Sequence, residues 1–367
     1  MPCQVTVPTS LSRNAIMVSA IRFGLATWIL CSGLSALASV SVEDFGVAGD
    51  GVTDDTEAFQ NALVAGQGGV VLVPPGEYAI ARGVTIPAGT CLEGQSPDAV
   101  LLARPTADVI EAETPLITLS NSSTLANLTI VYPDQDGATY YPWTVRVNGQ
   151  GCAMRNVSLV NCWQGIDVAA DVCDLHRIQG LRSNALAAGI QIGSGSSGLL
   201  EDIRLGPLPE STQTPVANST GLSIAGGAES ALNLRVTGYK TSLAVQDSDL
   251  DAANIEAGST VVSGSSSVRL TSGVMAGCLS CVLSADAVVS AKTVSFYCDD
   301  STDAACVTAS GAGSLILSGC SFAGWTGNAT AAVFADCASV IVESSTFDGG
   351  GAAPVAVKLG SDVSRAV

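Results

Sequence analysis

The chain has 367 residues, of which 47% are hydrophobic and only 5% are aromatic, with 39 glycines and a formal net charge of -18. An acidic chain of this kind repels nucleic acids and anionic lipids, so we expect neither as a partner. Abundant glycine with few aromatic side chains favours thin, stacked strands joined by tight turns over a thick globular core.

The first 38 residues have the pattern of a secretory signal peptide. Arg22 precedes an apolar run from Phe23 to Leu34, and Ala36-Leu37-Ala38 suits cleavage after Ala38. The run is short for a membrane span, although a retained signal anchor is the alternative, and Met17 is a second candidate start. We therefore predict a protein secreted to the extracellular space or cell wall, without membrane contact after cleavage, whose 13 basic and 33 acidic residues give a charge of -20.

The segment from Val42 to Tyr78 predicts a helix followed by two strands. Asp54 is a favourable N-cap for an amphipathic helix that ends near Leu63. Val70 to Val73 then form a buried strand, which Pro74-Pro75-Gly76 turns.

Three pieces of this region, DFGVAGDGVTDDT, GGVVLVPPGEY and IPAGT, with Leu92 and Gly94, resemble the opening module of pectate-lyase-like proteins. The resemblance implies an all-β fold, a single-stranded right-handed parallel β-helix with a short N-terminal capping α-helix. Similar openings occur in polygalacturonases, exo-acting glucanases, uronan epimerases and phage tailspikes, so the fold alone does not fix the function. Asp50, Asp54 and Asp55 fit turn and capping roles better than catalysis.

We expect one solenoid domain after the signal, with three zones. These are a cap module at 39–95, wider rungs with inserted loops at 96–257, and short rungs rich in Ala, Ser and Gly at 258–367. The insertions Tyr132 to Pro142 and Gly206 to Ser219 are predicted to leave the solenoid as loops on one face, where solenoids usually bind.

Internal repeats support the solenoid. Ser314 to Gly324 recurs as Ser339 to Gly349, an offset of 25 residues, and each copy predicts one strand and one turn. A weaker ladder, in which a polar residue precedes an aliphatic one, recurs at coil-sized spacings. Its members are Asn127-Leu128, Asn156-Val157, Arg177-Ile178, Asp202-Ile203, Asn233-Leu234 and Asn254-Ile255.

Ten of the 12 cysteines lie after residue 38 and fit an oxidising compartment. We predict disulfides between Cys298 and Cys306 and between Cys320 and Cys337, and a small structural clip between Cys278 and Cys281. Cys152, Cys162 and Cys173 either pair in part with Cys91 or remain buried and free. Five sequons would accept N-linked glycans in a secreted protein, at Asn121, Asn127, Asn156, Asn218 and Asn328.

The segment from Val131 to Val168 holds five of the ten Tyr and Trp residues beside three aspartates. Aromatic rings pack on the C–H faces of sugars, and two suitably spaced carboxyls can carry glycosidic cleavage. We therefore predict a polysaccharide-active protein of the glycoside hydrolase or polysaccharide lyase type. The predicted acids are Asp134, Asp136 and Asp167, and the predicted substrate-binding residues are Tyr132, Tyr141, Trp143, Trp163, His176 and Arg177.

The alternative assigns these residues to structure. Trp143 and Trp163 would fill the core, and Asp134 and Asp136 would belong to turns of an inserted loop. His176 would pair with Asp174. The chain would then be a non-catalytic cell-wall, sheath or virion protein, or a carbohydrate-binding module without turnover. Polygalacturonase activity is not expected, because the Asn-Thr-Asp, Asp-Asp, His-Gly and Arg-Ile-Lys motifs of that group are not assembled here.

Calcium is the one cofactor that we consider. Asp247, Asp249 and Asp251 alternate and are weak calcium candidates, although solvated turn acids are the alternative, and one histidine, His176, argues against zinc. The negative charge repels a polyuronate unless calcium bridges it, so we expect a neutral glycan or a calcium-dependent reaction. We expect a monomer or a homotrimer.

Overall fold

The computed structural model describes residues 39–168, 173–297, 305–325, 331–348 and 355–367. The predicted signal peptide lies outside these residues. They form a right-handed parallel β-helix, in which each coil pairs in parallel with the coils before and after it. None of the helices in these ranges is long and apolar enough to cross a membrane.

The helices are a 3-10 helix at Val42–Phe45, α1 at Thr56–Ala65 and α2 at Ala107–Glu111. The strands are, in chain order, β1 Val40–Ser41, β2 Asp50–Asp54, β3 Val70–Val73, β4 Gly76–Ile80, β5 Val84–Ile86, β6 Cys91–Gly94, β7 Ala99–Ala103, β8 Ile117–Leu119, β9 Thr124–Ala126, β10 Thr129–Val131, β11 Trp143–Val147, β12 Ala153–Arg155, β13 Ser158–Val160, β14 Gln164–Val168, β15 Asp174–Gln179, β16 Arg182–Ser183, β17 Ala188–Ile192, β18 Ser197–Leu205, β19 Thr220–Ala225, β20 Ala228–Val236, β21 Thr241–Gln246, β22 Asp249–Ala257, β23 Thr260–Gly264, β24 Ser267–Met275, β25 Leu279–Leu283, β26 Val288–Tyr297, β27 Val307–Ser318, β28 Ser321–Ala323, β29 Val333–Glu343, β30 Thr346–Asp348, β31 Val357–Leu359 and β32 Arg365–Ala366.

Each coil contributes to three sheets. The first sheet includes β6, β9, β12 and β15, the second includes β7, β10, β13 and β16, and the third includes β8, β11, β14, β17, β19, β21, β23 and β25. The long strands β18, β20, β22, β24 and β26 run from the first sheet into the second, and β27 and β29 run from the third into the first. Aliphatic side chains stack inside, as Val145, Ile166 and Ile190 do, and this stacking stabilises the coils.

Helix α1 covers the N-terminal end of the core, but its cap differs from the prediction by one residue. The N-cap is Asp55, and the Asp54 carboxylate instead accepts a hydrogen bond from the Thr56 amide at 3.0 Å. Asp55 in turn accepts from the amide of Ala48 at 2.6 Å, so its carboxylate ties the helix to the loop before it. The geometry therefore assigns these acids to turn and capping roles.

The repeat of 25 residues is confirmed in register. Leu315 pairs with Val340, Leu317 with Val342 and Phe322 with Phe347. The rings of Phe322 and Phe347 stack with centroids 4.8 Å apart.

The residues of the polar ladder lie at the turn between the first and second sheets, except for Arg177, which was wrongly included. Its residues adopt left-handed backbone conformations that Asn, Asp and Gly tolerate best. Arg177 does not belong to it, because register places Gly180, at φ 66°, in that position. Asparagine amides donate to the side chain one coil earlier, so two chains of hydrogen bonds form, one ending on Glu93 and one on Asp202. These run Asn156–Asn127–Glu93 and Asn254–Asn233–Asp202.

Both predicted insertions are confirmed, since 132–142 joins β10 to β11 and 206–219 joins β18 to β19. Residues 104–116, which contain α2, form a third insertion that sequence reasoning missed. All three lie where the chain passes from the second sheet to the third. Coils narrow to 18 residues near Asn254, yet later coils return to 25 or 26 residues.

Two of the predicted disulfides are wrong. Cys320 and Cys337 are free, because Cys320 lies at the turn between the first and second sheets and Cys337 lies where β29 passes from the third sheet to the first. Cys278 and Cys281 are free as well. Cys281 follows Cys278 by three residues of extended chain, so their Cα atoms lie roughly 10 Å apart, which is too far for a disulfide.

The remaining cysteine predictions have mixed outcomes. Cys306 is disulfide-bonded, but Cys298 lies outside the described residues, so that pairing stays a prediction. Cys152, Cys162 and Cys173 are buried thiols and Cys91 is a partly exposed one, so none of these four forms a disulfide.

Candidate functional site

The outer face of the third sheet carries a row of polar side chains in register. The row runs through Thr118, Arg146, Asp167, Gln191 and Ser223, one residue from each successive strand. The insertions 104–116, 132–142 and 206–219 border this face along one edge. We call the outer face of β11 and β14, together with the loop 132–142, the candidate site.

Asp167 and Arg146 form its centre. The Arg146 Nε lies 2.9 Å from Asp167 Oδ2, and the side chains are 26% and 7% exposed. Asp167 points outward, between the core residues Ile166 and Val168, and the arginine of the preceding strand covers it. An ion pair this sheltered holds the carboxylate in one orientation, because the charge has a partner but little water.

Tyr140 and Trp163 provide the aromatic surface. Their rings meet edge to face with centroids 6.4 Å apart, and Tyr140 is 38% exposed. Burial raises the pKa of Tyr140, the Glu113 carboxylate raises it further, and the Arg146 guanidinium opposes both. The Tyr140 hydroxyl therefore lies within electrostatic reach of Glu113 and Arg146, two residues that sequence reasoning did not select.

Tyr132 is not a sugar platform, because it is only 1% exposed. Its hydroxyl lies 3.2 Å from Thr144 Oγ1, which itself donates to the Gln164 carbonyl at 2.7 Å, so Tyr132 donates to Thr144. Tyr141 is 8% exposed and packs on Tyr132 with ring centroids 5.2 Å apart. Both tyrosines thus support the loop from within.

Trp143 is half-buried and borders a crevice too narrow for water, lined by Pro105, Val109, Thr114, Leu116, Tyr132 and Pro142. Trp163 also packs partly against the core. The structure therefore leaves Trp163, with Tyr140, as the aromatic pair at the site.

Asp134 and Asp136 lie in the bordering loop and not beside Asp167. Asp134 forms an exposed ion pair with Arg104 at 2.6 Å, at the edge where the second sheet leads into the third. Asp136 accepts hydrogen bonds from the amides of Ala138 and Thr139, which lower its pKa. Asp167, the next-to-last residue of β14, lies toward the opposite edge.

A buried polar network fixes the two long loops to each other. Gln213 Nε2 donates to the Gln135 carbonyl at 3.2 Å, and the Asn161 amide donates to Asn184 Oδ1 at 2.7 Å. Ser211 Oγ donates to Asn161 Oδ1 at 3.0 Å. Because Gln135, Asn161 and Asn184 are all buried, these bonds hold the wall beside the candidate site in place. Sequence reasoning missed them, since they join residues as far as 78 positions apart.

His176 is not at this site, because its side chain points from the first sheet into the interior of the solenoid and is 2% exposed. Its Nε2 lies 3.2 Å from Glu229 Oε1, so its partner is Glu229 and not Asp174. Gly198 lies on the strand between them and is the register partner of both His176 and Glu229. A β-carbon at Gly198 would collide with the His176 ring. Arg177 is exposed on the outside of the first sheet.

The three calcium candidates do not converge. Asp247 lies in a turn and accepts from the Ser265 amide, while Asp251 forms an ion pair with Arg269 at 2.9 Å. Asp249 is the first residue of β22 and is exposed. Within the described ranges, no group of three or more His, Cys, Asp and Glu side chains is arranged to hold a metal ion.

Comparison with known proteins gives matches of two kinds. Residues 39–114 match the family described as rhamnogalacturonase A/epimerase, pectate lyase-like. The pre-neck appendage protein of Bacillus phage B103 is 42% identical over 59 residues, which are 16% of this chain and only 7% of the phage protein. These matches cover the opening module alone.

Solved structures resemble the whole solenoid. The mannuronan C-5 epimerase AlgE4 A-module of Azotobacter vinelandii is 14% identical with a TM-score of 0.55, covering 90% of this chain and 99% of that one. The endo-xylogalacturonan hydrolase of Aspergillus tubingensis is 15% identical with the same TM-score, covering 89% and 96%. At such identities the likeness establishes the fold alone.

Proposed function

We propose that this chain, a member of the pectate-lyase-like superfamily, binds a polysaccharide on the outer face of its third sheet and cleaves it there. The observation that carries the proposal is the position of Asp167. It is an outward-pointing carboxylate, 7% exposed, that is paired with Arg146, and the Arg146 guanidinium also acts electrostatically on the partly exposed Tyr140.

Glycosidic cleavage requires a second carboxyl group as general acid. Asp136 is a poor choice, because a lowered pKa keeps it ionised and a general acid must hold a proton. Asp134 is engaged by Arg104. Glu113 is our choice, since its charge acts on the Tyr140 hydroxyl, as that of Arg146 does. Asp167 would then act as base or nucleophile, with Tyr140 and Trp163 as the sugar platform.

Hydrolysis fits the charges better than lyase chemistry. A lyase must neutralise the carboxylate of a uronic acid before a proton is removed from the sugar ring. Among the described strands of the third sheet, Arg146 and Lys358 are the two cations, and Arg146 is already paired with Asp167. This face therefore offers little positive charge to a uronate.

The test is product analysis with purified protein on a panel of neutral and uronic polysaccharides, with and without calcium. The proposal expects new reducing ends that disappear in D167N and persist in the control E210Q. Glu210 also pairs with an arginine, Arg182 at 3.0 Å, but outside the site. Absence of both reducing ends and unsaturated products would refute cleavage.

The second candidate is a non-catalytic virion, wall or sheath protein that binds glycan. The observation in its favour is the opening module, which resembles a phage pre-neck appendage protein. Glycan binding that persists in D167N without any product would support this candidate.

We also propose that the protein is secreted after removal of residues 1–38. N-terminal sequencing of the native protein tests this, and a mature chain that begins at residue 39 is the expected result. A native chain that retains the apolar run would contradict it.

A further inference from the structure

Beyond Asp167, the third sheet contains a long stretch without charge. The strands β17, β19, β21, β23 and β25 together have 27 residues, and none of these is Asp, Glu, Lys or Arg. At the chain's 13% of charged residues, about three or four of these 27 would be expected to be charged. The other two sheets carry charges along the same coils, including Asp251 and Arg269 on the first and Arg235 and Glu256 on the second.

The outward side chains of these strands form two parallel rows of small neutral groups. The first row is Gln191, Ser223, Ala244, Val261, Ser280 and, on β27, Thr308. The second row is Gln246, Ser263, Val282 and Ser310. Val261 and Val282 are 41% and 58% exposed. We call these two rows the neutral track.

The neutral track continues the candidate site. Its first residue, Gln191, is the register partner of Asp167, and each following member lies one strand spacing, about 4.8 Å, further along the axis. A polymer that entered the site lengthwise would therefore leave it over the track. Hydroxyl and amide groups there suit sugar hydroxyls, and the exposed valines suit C–H faces.

We propose that the neutral track binds the uncharged part of a glycan chain that lies along the solenoid axis and extends from the candidate site. This inference rests on the proposed function and names its substrate class, a neutral polysaccharide. A polyuronate would find no cation along the track, inside a molecule whose net charge of -18 repels it. A neutral chain leaves no charge to be desolvated over the valines.

The experiment measures binding of neutral gluco-oligosaccharides of several linkages, and of oligogalacturonates, each in graded lengths. V261E places bulk and charge on the track, and V282E does so one row further out. L232E is the matched control, because Leu232 is also 41% exposed but lies on the first sheet. Analytical ultracentrifugation of each variant reports self-association.

The neutral series is expected to bind more tightly with length, and V261E and V282E to weaken the long members about tenfold. The shortest members should be unaffected, as should every member with L232E. Equal affinity of long and short chains, or equal loss with L232E, overturns the track but leaves the proposed function standing. Tighter binding of the oligogalacturonates than of the neutral series overturns the proposed preference for a neutral polysaccharide.

Self-association that V261E abolishes would assign this face to a second copy of the chain. Binding of no glycan would overturn both the neutral track and the proposed function.

Discussion

His176 Nε2 lies 3.2 Å from Glu229 Oε1 in the interior of the solenoid, with both side chains almost fully buried. His176 Nδ1 lies 2.9 Å from the Cys173 carbonyl, which can only accept, so Nδ1 carries a hydrogen. The contact between Nε2 and Oε1 is favourable only if one further proton lies between them. The folded state thus retains a proton that the unfolded chain releases more easily.

This pair should make the protein lose stability as pH rises. Burial lowers the pKa of His176, but hydrogen bonding and charge from Glu229, with smaller contributions from Cys173 and Asp174, raise it overall above 6.5. Burial raises the pKa of Glu229 above 4.5, against the opposing effect of His176. Both groups bind protons more tightly when folded, so their contribution is present at low pH and falls as pH climbs from 4.5 past 6.5.

Glu229→Gln tests this dependence, because an amide can donate to neutral Nε2 without a titrating proton. Denaturant unfolding over a pH series should show a free energy that falls more steeply with pH in the parent than in E229Q. The lowered pKa values of the exposed acids Asp50, Asp54 and Asp136 act in the opposite direction in both proteins, so the difference between the two isolates the pair. Identical slopes would contradict the assignment.

Asn233 should be sensitive to the residue that replaces it. Its backbone is left-handed at φ 55°, and its side chain joins Asp202 to Asn254 with bonds of 2.7 Å each. N233A loses both bonds and strains the backbone, so we expect a loss of about 1–2 kcal/mol of unfolding free energy. N233G keeps the conformation and should lose less. Equal stability of N233A and N233G would show that the backbone conformation is not the limiting factor.

Buried thiols should resist alkylation in the native protein. Burial raises the pKa of Cys281 to about 12 and that of Cys162 to about 11, so little reactive thiolate forms near pH 8. Peptide mapping after iodoacetamide treatment should find both residues unlabelled until the protein is unfolded. Cys278, which is partly exposed, is the internal control. Rapid native labelling of Cys281 would contradict its burial.

Tyr140 and Tyr132 should separate binding from stability. Y140A is expected to weaken glycan binding with little change in stability, because its ring is partly exposed and lies in a surface loop. Y132F removes the hydrogen bond to Thr144 and should lower the unfolding free energy by about 1 kcal/mol without changing binding. Isothermal titration with a bound oligosaccharide, alongside denaturant unfolding, measures both. Weaker binding in Y132F than in Y140A would reverse the assigned roles.

The sequence predicted those features that local patterns determine. The repeat at Ser314 and Ser339 and both insertion boundaries were confirmed, since strand periodicity and coil length are visible along the chain. Arg177 was wrongly placed in the ladder, because the alternation of polar and aliphatic residues does not reveal which position has a left-handed backbone. Gly180 satisfies that requirement.

Contacts between side chains of different coils depend on register, which the sequence does not show. The pairing of His176 with Glu229 requires knowing that Gly198 lies between them. Likewise, Tyr132 and Trp163 each follow closely on a strand of the second sheet, yet Tyr132 is buried in the core and Trp163 is partly exposed. Arg146 was overlooked because its partner Asp167 lies 21 residues away, one coil further on.

The most direct measurement of the central claim is the rate at which D167N releases reducing ends from a polysaccharide that the parent protein cleaves. If Asp167 is a reacting carboxylate, the turnover rate should fall by at least about a hundredfold, while E210Q keeps the parental rate. D167N that is folded, binds the glycan and cleaves it at the parental rate would show that the pair with Arg146 is structural.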